Sequence, residues 1–149
     1  MSVIFSKSCE YALQASLYLA RQPEGEFVLL RDISERLGIP HHFLSKVLQM
    51  LARGEILTSS KGATGGFALA HSSKEISLID VVRAVDGEKF LDECVLGFPG
   101  CGDKHPCPVH PQWKRAKEIV LNILHKKTLA ELSKELDPKL DLIDQLVER

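Results

Sequence analysis

The chain has 149 residues and a mass of 16.6 kDa, enough for one domain with a real core and no disulfide staples. No apolar run approaches the ~20 residues that cross a bilayer, and Lys7, Glu10 and Arg21 break up the N-terminal apolar residues that a secretory signal would keep together, so a cytoplasmic protein with no membrane partner is expected. The net charge of −1 excludes a uniformly basic polyanion binder, but from Arg31 to Lys74 six Lys/Arg stand against three acids, a local surplus of three that suits phosphate contact by one segment.

The first predicted element is a mostly buried helix from Cys9 to Arg21, with Ser8 as its N-cap and Pro23-Glu24-Gly25 as its stop. A short helix from Asp32 to Leu37 closes at Gly38, and Pro40 occupies the first turn of another that runs to Arg53 and ends at Gly54. Two helices across a tight turn make a helix-turn-helix. In the second, Phe43, Leu44, Val47, Leu48 and Leu51 form the apolar stripe, which leaves His41, His42, Ser45, Lys46 and Gln49 facing outward. Ile56-Leu57-Thr58 and Phe67-Ala68-Leu69 then read as strands around a glycine-rich tip containing Lys61, Gly62, Thr64 and Gly65. Helix, helix and hairpin in that order predict a winged helix, with its second helix in a major groove of double-stranded DNA and its wing along the backbone.

A further helix from Leu78 to Val85 opens on a Ser77/Asp80 capping box and stops at Asp86-Gly87. Beyond residue 111, Trp113, Ala116, Ile119, Val120, Ile123 and Leu124 stripe a long amphipathic helix from Gln112 to Lys126, which suggests a homodimer. Thr128 and Glu131 cap a helix reaching Leu136, and the acidic tail after Pro138 carries Leu140, Leu142, Ile143, Leu146 and Val147 as a last helical candidate. The fold expected is mainly α with a small β-hairpin. Its parts are a winged-helix DNA-binding domain over residues 1–87, a cysteine loop over 88–111, and a dimerisation helix with a helical tail over 112–149.

Within the middle region lie Cys94, Cys101 and Cys107, in a Gly- and Pro-rich loop that ends near His110. Thiolates are soft ligands for zinc and iron–sulfur centres, and in a reducing compartment they signal metal or redox chemistry more often than bridges. The six- and five-residue gaps are wider than a two-residue zinc knuckle and favour an iron–sulfur cluster. A zinc staple and a metal-free thiol switch remain the alternatives for a regulator. A small iron–sulfur electron-transfer protein is the rival class, although no second redox site or nucleotide-binding glycine pattern accompanies the cysteines.

Taken together, these residues resemble the winged-helix iron–sulfur regulators typified by IscR and NsrR, bacterial repressors and activators. The resemblance spans essentially the whole chain through Ser6-Lys7, Tyr11-Ala12, Asp32-Ile33-Ser34-Glu35 with Gly38-Ile39, Lys61-Gly62 with Gly65-Gly66-Phe67, Val81-Val82 with Val85-Asp86, and the cysteine loop followed by Trp113. It implies that Cys94, Cys101 and Cys107 hold the cluster. His110 would complete a [2Fe-2S] cluster as in IscR-like members, whereas Glu10 from a second subunit would complete a [4Fe-4S] cluster as in NsrR-like members. The local spacing of His110 puts [2Fe-2S] first. The chain departs from the pattern in a first gap one residue longer and in Cys9, an extra thiol beside Glu10 that is either a third candidate for the fourth position or a small buried side chain. No catalytic residue is expected.

Overall fold

The computed structural model describes residues 4–63, 65–88 and 92–135; the predicted tail helix, Leu136 and Thr64 lie outside them. Helix α1 spans Lys7–Ala20, and its N-cap is Ser6 rather than Ser8: the Ser6 hydroxyl accepts from the Cys9 backbone N–H at 3.0 Å. The Ser6 hydroxyl and N–H both donate to Asp86, the latter at 2.8 Å, so the cap of α1 is tied to the residue that caps the end of the helix Leu78–Val85.

Helix α2 spans Leu30–Leu37, two residues longer at its start than expected, and ends on Gly38 in the left-handed region at φ 65°. The Ser34 hydroxyl donates to the Ile39 carbonyl at 2.6 Å, which fixes the turn into α3, His41–Arg53. Pro40 is the N-cap of α3 rather than part of its first turn. Strands β1 (Leu57–Ser60) and β2 (Gly66–Leu69) pair antiparallel with Leu57 opposite Leu69 and Ser60 opposite Gly66. Val28 adds a bridge on the other side of β2, exchanging both backbone hydrogen bonds with Phe67 at 2.8 and 2.9 Å. This pairing is why residue 66 must be glycine: at φ 126° a Cβ there would lie 2.1 Å from the Val28 carbonyl oxygen.

Helix α4, Leu78–Val85, opens on the expected box, with the Ser77 backbone N–H donating to the Asp80 carboxylate at 2.9 Å. Helix α5 spans His110–Lys126, and the Thr128 cap leads into α6, Leu129–Glu135. Helix α5 begins earlier than Gln112 because Pro111, which lacks an N–H, sits in the first turn where no helical donor is needed. His110 is therefore a helix residue rather than part of the loop.

Helices α1, α3 and α4 meet around Ala12, Ala15, Ile33, Leu44, Leu48, Leu51 and Val81, all fully buried. A second cluster of Cys9, Ile79, Val82 and Leu124 fastens α5 to α1 and α4. Phe43 departs from its expected core position: it is 50% exposed on α3, with its ring 4.2 Å from that of His42. Leu44 and Val47 already fill the inward side of that turn. No helix among the described residues is long and apolar enough to cross a membrane.

Candidate metal centre and DNA-facing surface

The cysteine loop is a run of tight turns. Gly97 donates its N–H to the Cys94 carbonyl at 2.9 Å, and Gly102 and His105 exchange backbone hydrogen bonds at 3.3 and 3.1 Å. Gly97 and Gly100 take φ of 79° and 73°, values that side chains rarely adopt. These turns point all three thiols inward, and the sulfurs of Cys94, Cys101 and Cys107 lie within 4.8 Å of one another, Cys94 and Cys107 being 3.5 Å apart. Contacts from the first turns of α5 hold the loop: the Trp113 indole N–H donates to the Glu93 carbonyl at 2.9 Å, and Lys114 reaches Asp103 at 3.1 Å.

Partial burial alone would raise the Cys94 thiol. The backbone N–H groups of Phe98 and Leu96, with the thiols of Cys107 and Cys101, outweigh it and bring the pKa down to about 7. At Cys101 the effect of the Cys107 backbone is outweighed by desolvation and the neighbouring thiols, so its pKa is raised. A cavity of about 390 Å³ between the loop and α5 is lined by Cys94, Cys101, His110 and Trp113 among others, and a second of about 240 Å³ opens between Phe98 and Pro106. Cys101 lines both. The donor set suits a soft metal. Tetrahedral coordination at ~2.3 Å bonds spaces thiolates about 3.8 Å apart, so the three sulfurs as they stand match one metal. A polynuclear cluster asks the three sulfurs to lie farther apart than they do here.

The fourth-ligand candidates separate. The His110 Nδ1 atom lies 3.5 Å from the Cys101 sulfur. Glu10 is on α1 outside the thiol group, with its carboxylate 3.2 Å from the Lys7 ammonium. Cys9 is fully buried among Ile79, Val82 and Leu124, where desolvation first, then Asp86 and Glu10, push its thiol up to about 12. That marks a core side chain.

On α3, His41, His42, Lys46 and Gln49 are exposed and Ser45 is half-buried, the Gln49 amide donating to its hydroxyl at 3.4 Å. Lys61 and Gly62 are exposed at the wing tip. Gly65, expected on the contact surface, is instead buried: a Cβ there would lie 2.2 Å from the Ser60 carbonyl oxygen, so this glycine closes the hairpin. Sequence reasoning missed Phe43 on this face and the Asp103–Lys114 pair at the thiols. The i, i+4 spacing of His110 and Lys114 was the available signal for the second, once the helix start is known.

A family profile described as Rrf2, iron-dependent transcriptional regulator, matches residues 5–135. The transcriptional regulator IscR of Serratia proteamaculans is 33% identical over 127 residues, 85% of this chain and 77% of that protein. Protein rrf2 of Nitratidesulfovibrio vulgaris is 30% identical over 125 residues, 84% of this chain and 83% of its own. Among solved structures, T. potens IscR aligns with a TM-score of 0.69 at 26% identity, covering 90% of this chain and 88% of that one. CymR, the global cysteine regulator of B. subtilis, shares the fold with a TM-score of 0.72 at 24% identity, over 89% of this chain and 98% of its own. The winged helix, the polar face of α3 and a match over almost the entire described length bear out the resemblance: the chain belongs to the Rrf2 family of transcriptional regulators, DNA-binding proteins rather than enzymes.

Proposed function

We propose that this chain is a cytoplasmic, homodimeric regulator whose operator binding is controlled by an iron–sulfur cluster held by Cys94, Cys101, Cys107 and His110. The observation that carries the reading is the convergence of three free thiols, within 4.8 Å of one another, beside an imidazole in a family described as iron-dependent. The resemblance to IscR-like members, with three thiolates and one imidazole, puts [2Fe-2S] ahead of [4Fe-4S]. Glu10 from a second copy is the competing donor.

When bound, the cluster supplies a centre whose integrity and charge respond to iron supply, oxidants and nitric oxide. The protein's part is to transmit the order of the loop. Trp113 and Lys114 join the loop to the first turns of α5, Leu124 and Val120 carry α5 onto Ile79 and Val82 of α4, and α4 packs directly on α3. Ordering or releasing the loop therefore biases how α5 sits, and with it the spacing of two α3 helices across a dimer. The bias equals the difference in cluster affinity between the two arrangements. His41, His42, Ser45, Lys46 and Gln49 enter the major groove, and Lys61, Gly62 and Thr64 follow the backbone. On α5, Ile119 and Ile123 are 65% and 52% exposed, an apolar strip that a second α5 covers.

The present sulfur spacing favours one other reading, a single zinc ion on the same thiols, which keeps DNA binding and removes sensing. Anaerobic purification with iron, sulfide and zinc analysis decides between them. Visible absorbance with iron and acid-labile sulfide in equal amounts supports the cluster, whereas a colourless protein with stoichiometric zinc refutes it.

A further inference from the structure

His110 and Lys114 stand one turn apart on the loop-facing side of α5, and both reach the same loop residue. Asp103 Oδ1 lies 3.0 Å from His110 Nε2, and the two Asp103 oxygens accept from the Lys114 ammonium at 3.2 and 3.1 Å. An ionised carboxylate only accepts, so the proton of a neutral His110 ring must sit on Nε2. The other nitrogen, Nδ1, is then left with a free lone pair, and it is the one that faces the Cys101 sulfur at 3.5 Å. His110 is 13% exposed while Asp103 is 72% exposed, so the acid screens the imidazole from the solvent side without belonging to the core. The Lys114 ammonium lies against both Asp103 oxygens, so the carboxylate faces His110 as an acceptor.

We propose that Asp103 is the positioning residue that selects the Nε2–H tautomer of His110 and presents Nδ1 to the metal centre, with Lys114 clamping Asp103 in place. The proposal rests on His110 being the fourth ligand. It assigns a role to two residues outside the ligand set and names the ligating nitrogen. Groups that orient a metal-bound histidine through its second nitrogen typically change metal affinity 10–100-fold when removed.

The test uses the full chain as wild type and as His110→Ala, Asp103→Ala, Asp103→Glu, Lys114→Met and the His110→Ala/Asp103→Ala double variant. In the metal-free protein, nitrogen-15 NMR of the imidazole should give the Nε2–H tautomer in wild type and a mixture in Asp103→Ala. In the anaerobically loaded protein, the chelator concentration that removes half of the iron should fall roughly 10–100-fold in Asp103→Ala, recover in part in Asp103→Glu, and fall less in Lys114→Met. The double variant should be no weaker than His110→Ala. If His110→Ala loses its cluster while Asp103→Ala keeps wild-type tautomer and retention, Asp103 is an ordinary loop acid and the ligand assignment survives alone. If His110→Ala itself matches wild type in spectrum and retention, His110 is not a ligand and both statements fall.

Discussion

Removing the exposed isoleucines of α5 should dissociate the dimer without loosening the fold. Covering an isoleucine completely is worth about 1.5–3 kcal/mol. With Ile119 65% and Ile123 52% exposed, covering what remains is worth about 2–3.5 kcal/mol per protomer and about 4–7 kcal/mol per dimer. Alanine keeps only the first methyl, so Ile119→Ala/Ile123→Ala forfeits roughly 2–4 kcal/mol of that, or about 30- to 700-fold in the dimer dissociation constant. Sedimentation equilibrium over the micromolar range reads this directly. Leu124 on the inward face stays buried in the variant, so the thermal midpoint of the monomer should hold. A wild type that is monomeric throughout, or a variant that dimerises as tightly as wild type, refutes α5 as the dimer contact.

Cys9→Ser exchanges a small apolar thiol for a more polar hydroxyl in an apolar cluster, with Asp86 as the acceptor within reach, and should cost about 1 kcal/mol in chemical unfolding, with iron content unchanged; loss of iron with stability intact would make Cys9 a ligand. Because the folded thiol is pushed up from 9.0 to about 12, the stability it contributes is present below pH 9 and lost as pH rises toward 12, so Cys9→Ala should flatten the alkaline limb of the unfolding profile relative to wild type. Lys61→Ala should weaken all DNA sequences alike and lower the salt slope by roughly one unit, while Lys46→Ala should also alter sequence preference; unchanged operator affinity in both would remove α3 and the wing from the interface. Gly66→Ala drives a methyl into the Val28 carbonyl and should cost at least about 1–3 kcal/mol and open the wing, and wild-type stability there would show that the Val28 bridge is not essential.

Much of the fold was legible because its signals are local. Gly38, Gly54 and the Ser77/Asp80 box mark helix ends by their own chemistry, and the stripe of α3 names most of its buried side. The errors occurred where packing contacts, rather than a residue's own chemistry, decide. Ser6, not Ser8, caps α1 because Asp86 holds it from the end of α4. Phe43 faces solvent because Leu44 and Val47 already close the core beneath that turn. Gly65 and Gly66 look like turn residues in sequence, but close approach to Ser60 and Val28 requires them. The three thiols were visible as a group. Asp103 was not, since its meaning depends on α5 starting at His110 and bringing two of its side chains to one carboxylate.

The central claim is that the state of the thiol centre controls DNA binding, and operator titration at fixed salt tests it most directly. The samples are the anaerobically loaded protein, the same preparation after iron removal, and Cys101→Ala. The account predicts at least a tenfold difference in operator affinity between loaded and stripped wild type, with Cys101→Ala indistinguishable from the stripped form whatever its iron supply. Equal affinity in all three samples would contradict it, leaving a DNA-binding protein whose cysteines do not govern its binding.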